Sequence, residues 1–285
     1  MNQTAEPNRP FITDIINSVF IALLAALAEQ VIHEVSHGMA ALIVGAKWDA
    51  LNLFASYSSW NGAANPLGQL IISGNAAIVN IFTGIVSIFL FSRSWLIARP
   101  FFRLFIFYFG AYSLLAGFGY LLVDPLFYKA GANLGDWKQV VAYLDSGWGI
   151  RVLIISVGAI GTFATFIWIS RSALCFCAQR SQKKERVQTV CKILLMPYIF
   201  VNIVFTLLAF WHPLGLNGCI LTIFKYWFGY IGLFWAFFIA GFWMNTEKAQ
   251  KDISVVPPYL ALSWNIISAI CLLVAVIFLL PTLRL

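Results

Sequence analysis

Long apolar stretches separated by short polar connections dominate this chain. Each stretch is close to or longer than the roughly 20 residues that a helix needs to cross a bilayer. Seven of them fall at residues 15–45, 68–91, 101–123, 151–170, 190–211, 219–243 and 258–280. The pattern predicts an all-α, polytopic bundle of seven transmembrane helices, or six if one stretch is re-entrant. We expect no separate soluble domain in the connections.

The composition also indicates a membrane protein. Hydrophobic residues make up 61% of the 285 positions and charged residues only 10%, whereas soluble domains contain roughly 25% charged residues. A net charge of +7 would favour a nucleic-acid partner in a soluble protein. Here the basic residues gather in short loops, which is typical of contact with anionic lipid headgroups. We therefore expect the lipid bilayer as a partner and no nucleic acid.

Lysine and arginine are concentrated in three loops, around residues 93–103, 171–186 and 248–251. With seven spans, these loops lie on the same side of the membrane as the N-terminus. Basic loops usually face the cytoplasm. We therefore expect a protein of the cell (plasma) membrane with a cytoplasmic N-terminus, and we expect the loop that holds Asp136 on the opposite face.

The first apolar stretch contains the pentad His33-Glu34-Val35-Ser36-His37. Residues four apart lie on one face of a helix, so both imidazoles can bind one metal ion. Glu34 lies on the adjacent face, where it can take a proton from a metal-bound water. Ionisable side chains inside a span are costly to bury and are candidates for function. The pentad therefore predicts a metal site with Glu34 as its catalytic base.

A catalytic zinc site usually has a third protein ligand. The downstream acids are few, and Asp136 is the strongest candidate, because it follows Gly135 and opens a short amphipathic helix at residues 136–144. Asp124 is the second candidate. The alternative for Asp136 is a plain structural role at the N-terminus of that helix.

Three further polar side chains lie in the first two apolar stretches. Glu29 is one helical turn before His33 and is either a partner that orients this ligand or a structural polar residue. Asn75 and Asn80 can donate to the carbonyl oxygen under attack or to the backbone of a substrate. Hydrogen bonding between packed helices is the alternative for both asparagines.

An HExxH helix as the first span, a glycine–asparagine segment in the second and a later aspartate resemble the site-2 protease family of intramembrane zinc metalloproteases. The resemblance covers residues 20–145 and marks the chain as a compact, divergent member. It implies that His33, His37 and Asp136 bind Zn²⁺ and that Glu34 activates the zinc-bound water. It also implies a membrane-spanning protein substrate, whose peptide bonds are hydrolysed within the bilayer.

This interpretation divides the chain into three parts. Residues 1–14 form a polar N-terminal tail, and residues 15–150 form the metalloprotease core with the HExxH span, the glycine–asparagine span and the Asp136 segment. Residues 151–285 add further C-terminal transmembrane helices.

Two other functions stay open at this point. One is a non-enzymatic transporter or scaffold with a structural metal site. The other is a membrane protease of the prenyl-protein type, which needs a downstream glutamate as third ligand, and only Glu185 and Glu247 are available. The presence of three histidines in the whole chain excludes a histidine-rich diiron desaturase.

Overall fold

Helices make up most of the regular structure in the computed structural model, which describes residues 11–128, 135–144, 148–178, 182–244, 253–254, 256–257 and 259–285. In chain order, the elements are α1 (Phe11–Ile43), β1 (Lys47–Asn52), β2 (Ala55–Ser59), α2 (Pro66–Phe91), α3 (Ser94–Ile97), α4 (Pro100–Leu126), α5 (Asp136–Tyr143), α6 (Trp148–Leu174), α7 (Lys183–Val190), α8 (Met196–Ala209), α9 (Gly215–Phe224), α10 (Ile231–Phe238), α11 (Leu262–Val274) and β3 (Leu283–Arg284). Short π-helical segments extend four of these helices, at Cys191–Leu195, Lys225–Gly229, Ile239–Trp243 and Ala275–Leu279.

Within the described ranges, seven helices are long and apolar enough to cross a membrane. They are Ile12–Ile43, Pro66–Phe91, Pro100–Leu126, Trp148–Leu174, Lys183–Ala209, Gly215–Trp243 and Leu262–Leu279. This confirms the expected all-α bundle, and the chain is an integral multi-pass membrane protein. Pro66 and Pro100 begin their helices, where the missing N–H donor of proline has no cost.

The first helix begins earlier than its hydrophobicity predicts. α1 starts at Phe11, so residues 11–14 of the expected N-terminal segment belong to this helix. Residues 1–10 lie outside the described ranges. Asp14 is buried, and Lys192 Nζ donates to its Oδ2 at 2.8 Å. This ion pair compensates the carboxylate, so the helix can continue through a charged position.

Helices α1 and α4 are the most buried spans of the bundle, and α2 packs against both of them. Two-thirds of the most apolar part of α4 is buried, against 17% for α6 and for the seventh span. Glycines let α2 and α4 approach each other closely. A Cβ on Gly117 would lie 2.8 Å from the carbonyl oxygen of Ala77. The peripheral spans turn apolar side chains outward, as a lipid-facing surface requires.

A small antiparallel sheet lies beyond the C-terminal end of α1, and the sequence pattern did not predict it. Its strand order is β2-β1-β3, so the last residues of the chain pair with the first strand. A bulge between Trp48 and Ala50 interrupts the pairing of β1 with β2. Two spans, α2 and α4, follow the sheet, so the end of α4 returns to the side of the bundle on which α1 ends. The sheet and α5, which follows α4, are therefore on the same side.

Candidate metal centre

The two histidines of the pentad and Asp136 meet at one point. His33 Nε2 lies 3.2 Å from Asp136 Oδ2, and His37 Nε2 lies 3.3 Å from the same oxygen. Both imidazoles are buried, and the three ligand atoms lie within 4.8 Å of one another. The i, i+4 spacing on α1 thus presents both rings to a carboxylate that comes from a separate short helix, α5.

The contacts of His37 make this group suitable for a cation. His37 Nδ1 lies 2.6 Å from the carbonyl oxygen of Ile72 on α2, and a carbonyl only accepts hydrogen bonds, so Nδ1 is the donor. In a neutral imidazole the other nitrogen then has a lone pair. This lone pair and Asp136 Oδ2 are two acceptors facing each other, so a positive species between them is favourable. Imidazole nitrogen and carboxylate oxygen are ligands that Zn²⁺ takes, so the residues fit this metal.

Asp136 owes its position to a sharp turn before α5. Gly135 adopts a φ of +98°, which favours glycine, and a Cβ there would lie 2.9 Å from the carboxylate oxygens of Asp124. Asp124 Oδ2 accepts a hydrogen bond from the backbone N–H of Trp137 at 2.9 Å. Asp124 thus holds the start of α5, and it is Asp136 that faces the histidines. Burial opposes ionisation of Asp136, but the positive charge of His37 when its ring is protonated, together with the hydrogen bonds from His33 and His37, outweighs it and lowers the pKa of this carboxyl below its usual range.

Glu34 lies beside the group and is held by a neighbour on its own helix. Its carboxyl group is buried, and Gln30 Nε2 donates to Glu34 Oε1 at 2.9 Å. Glu34, His33 and His37 line one cavity of about 690 Å³, which is in the usual range for ligand pockets. Glu34 is therefore close to the two imidazoles and has access to the same space.

The three polar residues that the sequence singled out are bonded inside the bundle. Asn80 Nδ2 donates to Glu29 Oε1 at 2.8 Å and lies 3.1 Å from His33 Nδ1. Asn75 Nδ2 donates to the carbonyl oxygen of Ser36 at 2.8 Å. Glu29 reaches His33 through Asn80 rather than directly. Because both asparagine donors already have partners, their expected contact with a substrate stays a prediction.

Several further polar residues lie around the cavity and are not among those that the sequence motifs predict. Lys225 and Tyr226 come from the sixth span and contact Gln30, and Tyr230 donates to Glu29 Oε2 at 2.6 Å. A signal for Lys225 was available, since a lone lysine inside an apolar stretch is a functional candidate by default. Gln30 was also visible, because it lies four residues before Glu34 on the same helical face.

The other candidate ligands of the sequence do not join the two histidines among the described residues. Glu185 caps α7, where its Oε2 accepts from the backbone N–H of Gln182 at 3.1 Å. Glu247, the other glutamate that a prenyl-protein type of site would need, lies outside the described residues. His212, the third histidine of the chain, is between α8 and α9 and lines the cavity, with its ring stacked on Phe54 at 5.4 Å between centroids.

The fold and the site together define a class: a polytopic helical membrane protein in which two buried histidines meet an aspartate, beside a glutamate that lines the same cavity. No protein-family model, curated protein or solved structure matches this chain. Its function is therefore inferred from the geometry of the site.

Proposed function

We propose that the protein is an intramembrane zinc metalloendopeptidase of the site-2 protease type, in a compact and divergent form. The observation that carries the proposal is the meeting of His33, His37 and Asp136 beside Glu34 in one cavity. A structural zinc site normally has four protein ligands. Among the described residues this group offers three, which supports a catalytic site over a structural one in a transporter or scaffold.

Each residue has a defined role in this proposal. His33 Nε2, His37 Nε2 and Asp136 Oδ2 would hold Zn²⁺. The ion supplies, when bound, a positive charge that makes water more acidic and polarises a peptide carbonyl. Glu34 takes a proton from the attacking water and passes it to the leaving amine. Ile72 keeps His37 in the correct orientation, because its carbonyl oxygen accepts a hydrogen bond from Nδ1.

The proposed substrate is a membrane-spanning segment of another protein. Peptide carbonyls inside a helix are bonded to N–H groups four residues later, so the segment must unwind before attack. A helix with its side chains is about 10–12 Å wide. The cavity of about 690 Å³ suits a short extended stretch better than an intact helix.

The charge pattern gives the proposed orientation. With the N-terminus in the cytoplasm and seven spans, the small sheet and α5 lie on the outer face of the plasma membrane. His37 precedes the end of α1 at Ile43 by six residues, which corresponds to roughly 9 Å along the helix. The proposed reaction then takes place in the outer part of the bilayer.

Metal analysis together with a cleavage assay tests the proposal. The assay uses a panel of single-span peptides in detergent micelles, each with a fluorophore and a quencher at its two ends. We expect stoichiometric zinc and chelator-sensitive cleavage. The double substitution His33→Ala and His37→Ala should remove the zinc, whereas His212→Ala, which changes the third histidine of the chain, should retain it. Zinc content unaffected by the double substitution would refute the site.

A further inference from the structure

Lys225 is a half-buried lysine in the sixth span, and it lines the same cavity as the metal centre. The exposed fraction of its side chain is 14%, and that of Glu29 is 0%. Its Nζ donates to Gln30 Oε1 at 2.6 Å and lies 3.6 Å from Glu29 Oε1. A charge in this position is costly unless it is paired and hydrogen-bonded. The amide oxygen of Gln30 and the carboxylate of Glu29 therefore compensate the charge of Lys225.

The contacts of Gln30 show how Lys225 reaches the centre. An ammonium group only donates hydrogen bonds, so the oxygen of the Gln30 amide must face Lys225. Tyr226 also donates to this oxygen, at 3.1 Å. The amide nitrogen consequently faces the other way, where it donates to Glu34 Oε1 at 2.9 Å and to the carbonyl oxygen of Leu53 at 3.0 Å. The orientation of the Gln30 amide is thus fixed by two donors at its oxygen and two acceptors at its nitrogen.

We propose that Lys225 is a positioning residue for Glu34 and acts through the side-chain amide of Gln30. The proposal rests on the proposed function, since it assigns Glu34 as the base. Lys225 holds the amide so that its N–H bonds Glu34 Oε1. The second carboxylate oxygen is then left to take the proton of the attacking water. Lys225 itself need not touch the substrate.

The local backbone of the sixth span brings these donors together. Lys225 begins the π-helical segment Lys225–Gly229, a feature that is frequent at functional sites. Tyr226 is held by stacking on Phe205, with ring centroids 4.0 Å apart. Tyr230, just beyond the segment, donates to Glu29 Oε2. One short stretch of the C-terminal half therefore supports two acidic side chains of α1.

Loss of Lys225 should affect the chemical step rather than the metal. In Lys225→Met the stem of the side chain is retained, but the donor and the charge are lost. Tyr226 and the carbonyl oxygen of Leu53 still orient the Gln30 amide, but the closest donor to its oxygen is lost, so the amide holds Glu34 Oε1 less firmly. Residues that orient groups at a metal centre typically contribute about 10–100-fold to activity. We expect a fall of that size in kcat, with KM and zinc content unchanged.

A double-mutant cycle tests the route through Gln30. The variants are Lys225→Met, Gln30→Met, their combination and the conservative Lys225→Arg, assayed on the peptide of the panel that the parent protein cleaves fastest. If Lys225 acts through Gln30, the combined variant has the kcat of Gln30→Met alone. Lys225→Arg keeps a donor and the charge and should recover much of the activity. Multiplicative losses in the combined variant would overturn the proposal.

Lys192→Met is the matched control. Lys192 is also a half-buried lysine in a π-helical segment, but it pairs with Asp14 at the other end of α1. Its replacement should lower thermal stability and leave kcat unchanged. An equal loss of kcat in Lys192→Met and Lys225→Met would show a general effect of buried charge and overturn the assignment.

A second cycle separates this proposal from the proposed function. Thermal unfolding of the same variants, in zinc-free protein, measures the coupling of Lys225 and Gln30 without any substrate. We expect a clear coupling, because the two side chains share a hydrogen bond. Additive losses of stability would overturn the contact whether or not the protein cleaves peptides. Coupling in a protein without zinc-dependent cleavage would uphold the contact and refute only the proposed function.

Discussion

Replacing Asn80 by alanine should weaken zinc binding without removing a ligand. Asn80 is fully buried, and its amide contacts both Glu29 and His33, at 2.8 and 3.1 Å. Alanine leaves both partners without this contact, so the imidazole of His33 can turn away from the other ligands. Side chains that orient metal ligands typically contribute about 10–100-fold to affinity. The expected loss is thus about 1.4 to 2.7 kcal/mol of binding free energy.

Competitive titration against a fluorescent zinc chelator measures this loss. Asn17→Ala is the matched control, because Asn17 is equally buried but lies on α1 away from the metal centre, where it is bonded to Tyr259 and Ala261 near the seventh span. Both variants should lose stability, but only Asn80→Ala should lose zinc affinity. Equal zinc affinities in the two variants would refute the orienting role of Asn80.

Three more predictions concern packing, the third ligand and pH. Gly117→Ala should destabilise the protein by about 1–3 kcal/mol through overpacking. Gly119→Ala is the control and should not destabilise it, because no atom lies within 4 Å of the added carbon. Equal melting temperatures of the two variants would contradict the close packing of α2 and α4. Asp136→Asn should weaken zinc binding far more than Asp124→Asn. A larger loss of zinc affinity in Asp124→Asn would identify Asp124, not Asp136, as the third ligand. Zinc content, measured after dialysis, should fall as the pH is lowered from about 7 to about 4, because protons compete for the imidazole and carboxylate ligands; a constant content would argue against these ligands.

The transmembrane helices could be predicted because hydrophobicity is a local property of the sequence. Each apolar stretch overlaps one observed span, and the errors are at the ends. α1 begins earlier than expected because Asp14 is paired with Lys192, which is 178 residues away. The sheet was missed for a similar reason, since β3 comes from the last residues of the chain and pairs with β1. Contacts over such distances leave no periodic signal.

The candidate site was predictable only in part. The spacing of His33 and His37 places both rings on one face of a helix, and the scarcity of acids singled out Asp136. The partners that complete the arrangement could not be placed, because they depend on how the spans pack. The carbonyl oxygen of Ile72 belongs to an ordinary apolar residue, and Lys225 is almost 200 residues from Gln30 in sequence.

The measurement that tests the account most directly is the zinc content and the cleavage rate of Glu34→Gln, determined on the same preparation. This substitution keeps the size of the side chain and leaves the three proposed ligands intact. We expect the zinc content of the parent protein together with a rate lower by about 10²–10⁴-fold, the usual contribution of a general base. Cleavage at the parental rate by a zinc-loaded Glu34→Gln protein would contradict the account.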